Sequence, residues 1–193
     1  MSMSRRKFVV GSVVLLSGVH MAPRVQWVDR LRRPGVSELG TRWRLGSNRN
    51  GFDASDVRLS VERVESELCY RLHGRVGSTR RVGPPQMTLD LSRPGYVLDA
   101  TGFRSLRVRV RGNGEAYAIH LRTGENVAPW DHYVASFVAP SEWVDIDLPF
   151  ASFERARRVG QVDASRLLRL AVVAADGDDH PDLCVSAIGL VEA

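Results

Sequence analysis

Leu106-Arg107-Val108-Arg109-Val110-Arg111 is a strict alternation of apolar and charged residues, and Gly112-Asn113-Gly114 follows it directly. Successive side chains of a β-strand point to opposite faces, so this run predicts a strand with three apolar residues toward a core and three arginines away from it. Asn-Gly between two alternating runs predicts a hairpin, because both residues tolerate positive φ. The return strand would then carry Tyr117, Ile119 and Leu121 on its core face, with Ala116, Ala118, His120 and Arg122 on the other.

The same period of two recurs outward in both directions. It predicts strands at Leu68-Cys69-Tyr70-Arg71-Leu72, Tyr133–Val138, Trp143–Leu148, Leu168–Ala174 and Leu183–Leu190. In the strand at Trp143, the residues Val144, Ile146 and Leu148 form the apolar face, so Trp143, Asp145 and Asp147 point away, and Pro149 ends the ladder. Near the start, Val25–Leu31 has a short helical pattern stopped by Pro34-Gly35. Many short strands with Gly, Pro and Asp turns, and no sustained helical period, predict an all-β sandwich.

Composition fits one domain. The chain has 193 residues, 44% of them apolar and 25% charged, enough to bury an ordinary core and too short for a two-domain enzyme. The longest apolar run, Phe8–Val19, is broken by Gly11, Ser12, Ser17 and Gly18 and falls short of a membrane span. The formal charge is +5, but of 27 basic residues only Lys7 is lysine. Without residues 1–22 the balance is 24 basic against 22 acidic residues, and the arginines alternate with acids. Nucleic-acid binding needs a clustered, unopposed stripe and is not expected; the arginine excess reads as a compositional habit.

Ser4-Arg5-Arg6-Lys7-Phe8 followed by a mildly apolar stretch resembles a twin-arginine export signal, with Arg5, Arg6 and Phe8 as its marks and an exit near Ala22. The expected organisation is therefore a leader over 1–22, an N-terminal extension over 23–42 and a sandwich domain over 43–193. That leader implies a periplasmic or extracellular location, with contact to the membrane only through the signal. Cys69 and Cys184 permit one disulfide or two buried free thiols.

Phe103-Arg-Ser-Leu-Arg-Val-Arg-Val-Arg-Gly112-Asn-Gly114, then Tyr117-Ala-Ile-His-Leu-Arg122-Thr123, Tyr133-Val-Ala-Ser-Phe137 and Trp143-Val-Asp-Ile-Asp-Leu-Pro149-Phe150-Ala-Ser-Phe153 together resemble the complex I intermediate-associated protein 30 family. The resemblance extends over about residues 43 to 191. It implies a galactose-binding-like jelly roll without catalysis, related in fold to carbohydrate-binding modules, and in eukaryotic members a chaperone-like role in respiratory assembly. The family's Asp-x-Val-Met-Gly-Gly-x-Ser segment is absent: Trp43 is followed instead by Arg-Leu-Gly46-Ser47-Asn48-Arg-Asn50-Gly51-Phe52. An exported member does not inherit the complex I role; a protein-binding assembly or chaperone-like factor of the cell envelope is the first expectation, and a carbohydrate-binding module the second.

His120 and Arg122, with Trp130, His132 and Tyr133 from the next loop and strand, form the candidate ligand site. A large ring in a loop offers a flat apolar face to a sugar or apolar side chain, while Arg and His supply donors. The alternative is a Trp130 folded back over the core. No hydrolase, zinc or phosphate-loop motif is present, so no enzyme and no cofactor is expected. Asp176-Gly-Asp178-Asp179-His180-Pro-Asp182 is rich in oxygen ligands, but its spacing suits a turn better than calcium, and no metal is expected.

Overall fold

The computed structural model describes residues 23–46, 56–76, 84–128, 130–156, 159–174 and 180–193. The leader residues Arg5, Arg6 and Phe8, and Asp176, Asp178 and Asp179 of the acidic loop, lie outside them. Within them no helix is long and apolar enough to cross a membrane.

The described residues form, in order, β1 (Val25–Asp29), β2 (Trp43–Gly46), β3 (Arg58–Val64), β4 (Glu67–His73), β5 (Gln86–Asp90), β6 (Phe103–Gly112), β7 (Ala116–Thr123), β8 (Tyr133–Val138), β9 (Val144–Pro149), β10 (Glu154–Arg155), β11 (Leu167–Ala174) and β12 (Asp182–Glu192); the predicted alternating runs are β4, β6, β7, β8, β9, β11 and β12. Two antiparallel sheets result. The first runs β3-β4-β12-β6-β9, with β1 also paired to β12; the second runs β10-β8-β7-β11-β5-β2. Leu106, Val108 and Val110 of β6 pack in one core with Ile119 and Leu121 of β7 and Leu170 and Val172 of β11. The all-β jelly-roll sandwich is thus the fold the chain adopts.

Two local expectations are corrected. Val25–Asp29 is a strand, not a helix, paired with β12 from Val25↔Val191 to Asp29↔Ile188. Five residues are too few for a helix to stand on local hydrogen bonds, whereas the free stretch of β12 beyond β4 supplies a ladder. The segment read as an extension therefore contributes a strand to the sheet. Close approach there is possible because residue 189 is glycine: a Cβ on it would lie 2.5 Å from Val25 Cγ1 and 2.9 Å from Trp27 Cε3.

The expected hairpin at Gly112-Asn113-Gly114 is instead a corner between the sheets, since β6 pairs with β12 and β9 while β7 pairs with β8 and β11. Of its residues only Gly114 takes a positive φ, +85°, whereas the tight hairpin turn needs two. The corner is bonded to the next crossing: the Gly112 and Gly114 amides donate to the carbonyls of Pro140 (2.7 Å) and Ala139 (2.8 Å).

The outward side of the first sheet is a lattice of ion pairs. Arg107 forks onto Asp147 (2.6 and 2.8 Å), Arg109 joins Glu67 and Asp145, and Arg71 joins Asp182 and Glu62. Trp143 lies half-buried beneath the Arg109 guanidinium. Cys69 and Cys184 are free and buried on neighbouring strands of this sheet.

One buried carboxylate ties the start of the chain to both layers. Asp29, 1% exposed, accepts from Trp43 Nε1 of the second sheet (2.7 Å) and from the Leu31 amide (2.8 Å). Trp43 in turn packs on Tyr70 of the first sheet, with ring centroids 5.3 Å apart. Asp29→Ala leaves two buried donors without acceptors and is expected to lower stability by about 2 kcal/mol or more, with an unchanged denaturant slope. Urea unfolding of the two proteins checks this; a loss below about 0.5 kcal/mol, the ordinary range of surface changes, would show that β1 is not held this way.

Candidate functional site

On β7 burial alternates without a break, so Tyr117, Ile119, Leu121 and Thr123 face the core while Ala118, His120 and Arg122 sit on the outer side of the second sheet. The neighbours in register are Ala171 and Arg169 of β11, opposite His120 and Arg122, and Val134 of β8 on the other flank of His120. Asp90 of β5 stands beside Arg169.

Of the five residues expected from sequence, His120, Arg122 and His132 meet on this side, and Trp130 stands in the adjoining loop. His120 and His132 stack with ring centroids 4.1 Å apart and planes 18° apart. Burial first, and the neighbouring His132 second, push the His120 pKa down to about 4, so the ring is neutral at neutral pH. Arg122 is partly buried and donates through Nη2 to the carbonyls of Asn126 (2.9 Å) and Ala128 (3.2 Å). It thereby braces the loop that carries Trp130, whose side chain is 60% exposed and does not cap the core. Asp131, adjacent to it, is buried and gripped by the Arg155 fork (3.0 and 2.8 Å), which fixes the other end of that loop.

Tyr133 is the correction. It is fully buried, opposite Leu121 in the ladder, and its hydroxyl donates to Glu125. Strand parity turns it toward the core with Ala135 and Phe137, so its ring is unavailable as a stacking surface.

Sequence reasoning missed the other half of the site. An open pocket of about 330 Å³ lies beside Arg122, between β11 and the Ser92–Tyr96 turn, with Asp90, Arg93, Arg169 and Tyr96 in its lining. Tyr96 is 70% exposed. Ser92 Oγ donates to the Tyr96 carbonyl (2.5 Å) and the Tyr96 amide to the Arg93 carbonyl (3.0 Å), closing the turn that holds the ring out. Arg93-Pro94-Gly95-Tyr96 has the signature that singled out Trp130, a large ring in a turn. Arg169 was within a predicted strand, but its place next to β7 is a long-range fact that no local pattern carries.

Asp90 accepts from Arg169 Nε (2.6 Å) and from Arg44 Nη2 (2.6 Å). Burial opposes its ionisation, yet these two arginines outweigh burial and hold its carboxyl below the usual range. A second depression, of about 370 Å³, lies on the first sheet among Trp27, Glu67, Arg109 and Ser186. Its carboxylate is engaged, since Glu67 accepts from both Arg109 and Ser186, while Arg30 pairs with Glu38 and Arg63 donates to the Ser66 carbonyl. In the acidic loop, Asp182 is taken up by Arg71.

The sequence profile of the complex I intermediate-associated protein 30 family matches residues 41–175. No curated protein is significantly similar in sequence. Among solved structures, the chain is similar to the family 11 carbohydrate-binding module of a cellulosomal cellulase of Clostridium thermocellum, at 18% identity over 90% of this chain and 97% of that one, with a TM-score of 0.62. The module from the same organism in complex with a β-1,3-1,4-mixed-linked tetrasaccharide gives 18% identity, the same 90% of this chain, 98% of that one and a TM-score of 0.59. A family 30 carbohydrate-binding module gives 17% identity over 77% and 80% of the two chains, with a TM-score of 0.53. At these identities the likeness is one of fold: a galactose-binding-like sandwich.

The stacked histidines make a pH prediction. His120 holds its proton far less well folded than unfolded, so between about pH 6.5 and 4 the unfolded chain takes up a proton that the folded chain refuses. Stability should fall as pH drops through that window, by on the order of 1–3 kcal/mol at its lower end, and the loss should be complete below about pH 4. Thermal melts of the wild type and His120→Gln at pH 7 and 4.5 check this. The variant should lose less between the two pH values; equal losses would show that His120 is not the group responsible.

Proposed function

The chain belongs to the complex I intermediate-associated protein 30 family, and we propose that it works as a non-catalytic glycan-binding domain. The observation that carries this reading is the placing of two exposed rings, Tyr96 and Trp130, in turns that both adjoin Arg122: Tyr96 lines a pocket with it, and Trp130 follows the loop whose carbonyls it bonds. Flat apolar faces beside fixed polar donors suit a sugar ring, which presents CH groups on its faces and hydroxyls at its edge. The similarity in fold to modules named for carbohydrate binding supports the same reading.

The reading assigns no chemistry to the chain. Asp145 and Asp147, the pair of carboxylates on one strand face, are each engaged by an arginine of β6, and this removes them as a free acid–base pair. Delivery to the envelope or the exterior by the Arg5-Arg6-Lys7-Phe8 leader, as the sequence leads us to expect, would bring such a domain to extracellular polysaccharide.

Trp130→Ala and Tyr96→Ala test the reading against a glycan array followed by titration calorimetry on the best ligand. Each truncation should weaken binding about tenfold or more, equivalent to roughly 1.4 kcal/mol, while stability stays within about 0.5 kcal/mol because both rings are exposed. A blank array with a specific protein caught from envelope extract would replace this reading with that of a protein-binding assembly factor.

A further inference from the structure

Across the outer side of the second sheet, Arg122 of β7 and Arg169 of β11 stand directly opposite each other in register. Like charges in that position repel, and a sheet ordinarily places an acid between them or separates them. Among the described residues only one carboxylate lines the pocket they share with Arg93, namely Asp90, and both of its oxygens are already engaged, Oδ1 by Arg169 and Oδ2 by Arg44. Among the described residues Arg122 has no carboxylate partner; its only bonds go to two backbone carbonyls through a single nitrogen. Burial, then the charge of Arg169, lowers its pKa against the weaker pull of Asp131. The contrast with the first sheet is direct, since Arg71 and Arg109 there each bind two carboxylates and Arg107 one in a fork.

We infer that this pocket takes an anionic sugar unit, whose carboxylate or sulfate group enters between Arg122 and Arg169 while its ring lies against Tyr96. Guanidinium groups bind planar oxyanions through paired N–H donors, and such charge-assisted bonds strengthen where water is partly excluded. A pocket of about 330 Å³ lies in the range used for small ligands. The inference rests on the glycan-binding reading and narrows it from sugars in general to acidic ones.

Calorimetric titration of the full chain with trigalacturonate, with a sulfated galactose trisaccharide and with the neutral mixed-linkage β-glucan tetrasaccharide tests it. One of the two acidic ligands should bind at least tenfold tighter than the neutral one, and which of them does so identifies the anion. Arg169→Gln and Arg122→Gln should each erase that preference, while Arg58→Gln, an exposed arginine of the opposite sheet, should leave it intact. Because Arg122 also braces the Trp130 loop, Arg169→Gln is the decisive variant. Equal affinity for neutral and acidic ligands overturns the inference and leaves glycan binding standing. A preference that survives Arg169→Gln overturns it as well, since attraction to overall charge would then suffice. Binding of none of the three overturns it too, and the array then decides the fate of the broader reading separately.

Discussion

A strand turns only every second residue toward a given face, and in this sandwich each sheet has one face packed on the shared core. That constraint decides which side chains exist for a ligand to meet. On β7 it sends Tyr117, Ile119 and Leu121 inward and His120 and Arg122 outward. One strand over, it turns Tyr133 inward, and a plausible aromatic ligand becomes a core residue. β12 is the limiting case: it is buried from Leu183 to Val191 on both sides, because Val25 and Trp27 of β1 lie over Gly189. On its outward side Gly189 leaves room for β1, and Ser186 donates to Glu67.

The same parity gathers arginines on both outer faces, and the two faces dispose of them differently. On the first sheet Arg71 and Arg107 find carboxylates one strand away and Arg109 finds one on β9 and one across β12, so their charge is neutralised within the lattice and the pairs serve the sheet. Exposed pairs of this kind add little stability individually, but they keep Arg71, Arg107 and Arg109 engaged. On the second sheet one aspartate serves two arginines while a third goes without. A near-neutral total over the folded chain hides this asymmetry, because net charge is a sum and recognition depends on its distribution.

How much of this was readable beforehand follows the range of the interactions. The strands β4, β6, β7, β8, β9, β11 and β12 carry their alternation in contiguous residues and were legible as such. β1 was not: its five residues fit either period, and the ladder with β12 that decides between them lies more than 150 residues away in sequence. The corner at Gly112-Asn113-Gly114 has the residues of a hairpin, and only the bonding of its amides to Ala139 and Pro140 shows it crossing between layers. In the candidate site, His120 and Arg122 followed from parity and Trp130 from its loop. Parity applied to β8 would also have turned Tyr133 inward. Arg169 beside Arg122 needed the sheet order itself, which no single strand encodes.

The departures from the family's sequence pattern bear on this division. Trp43, the early tryptophan, keeps a structural task, bonded to Asp29 and packed on Tyr70, although the residues that follow it differ from the family's usual segment. That task lies in the core, away from any exposed ligand surface. The exposed rings Tyr96 and Trp130 sit elsewhere, in the turns after β5 and β7, where no ladder bond constrains the side chains. What joins those two turns is one strand residue, Arg122, which lines the pocket under Tyr96 and bonds the carbonyls of the Trp130 loop. A site assembled this way takes its rigidity from the sheet and its specificity from the turns. Under the proposed reading, substitutions in the turns would change the ligand without disturbing the fold, and one sandwich fold is indeed shared by chains as dissimilar in sequence as this one and its structural neighbours.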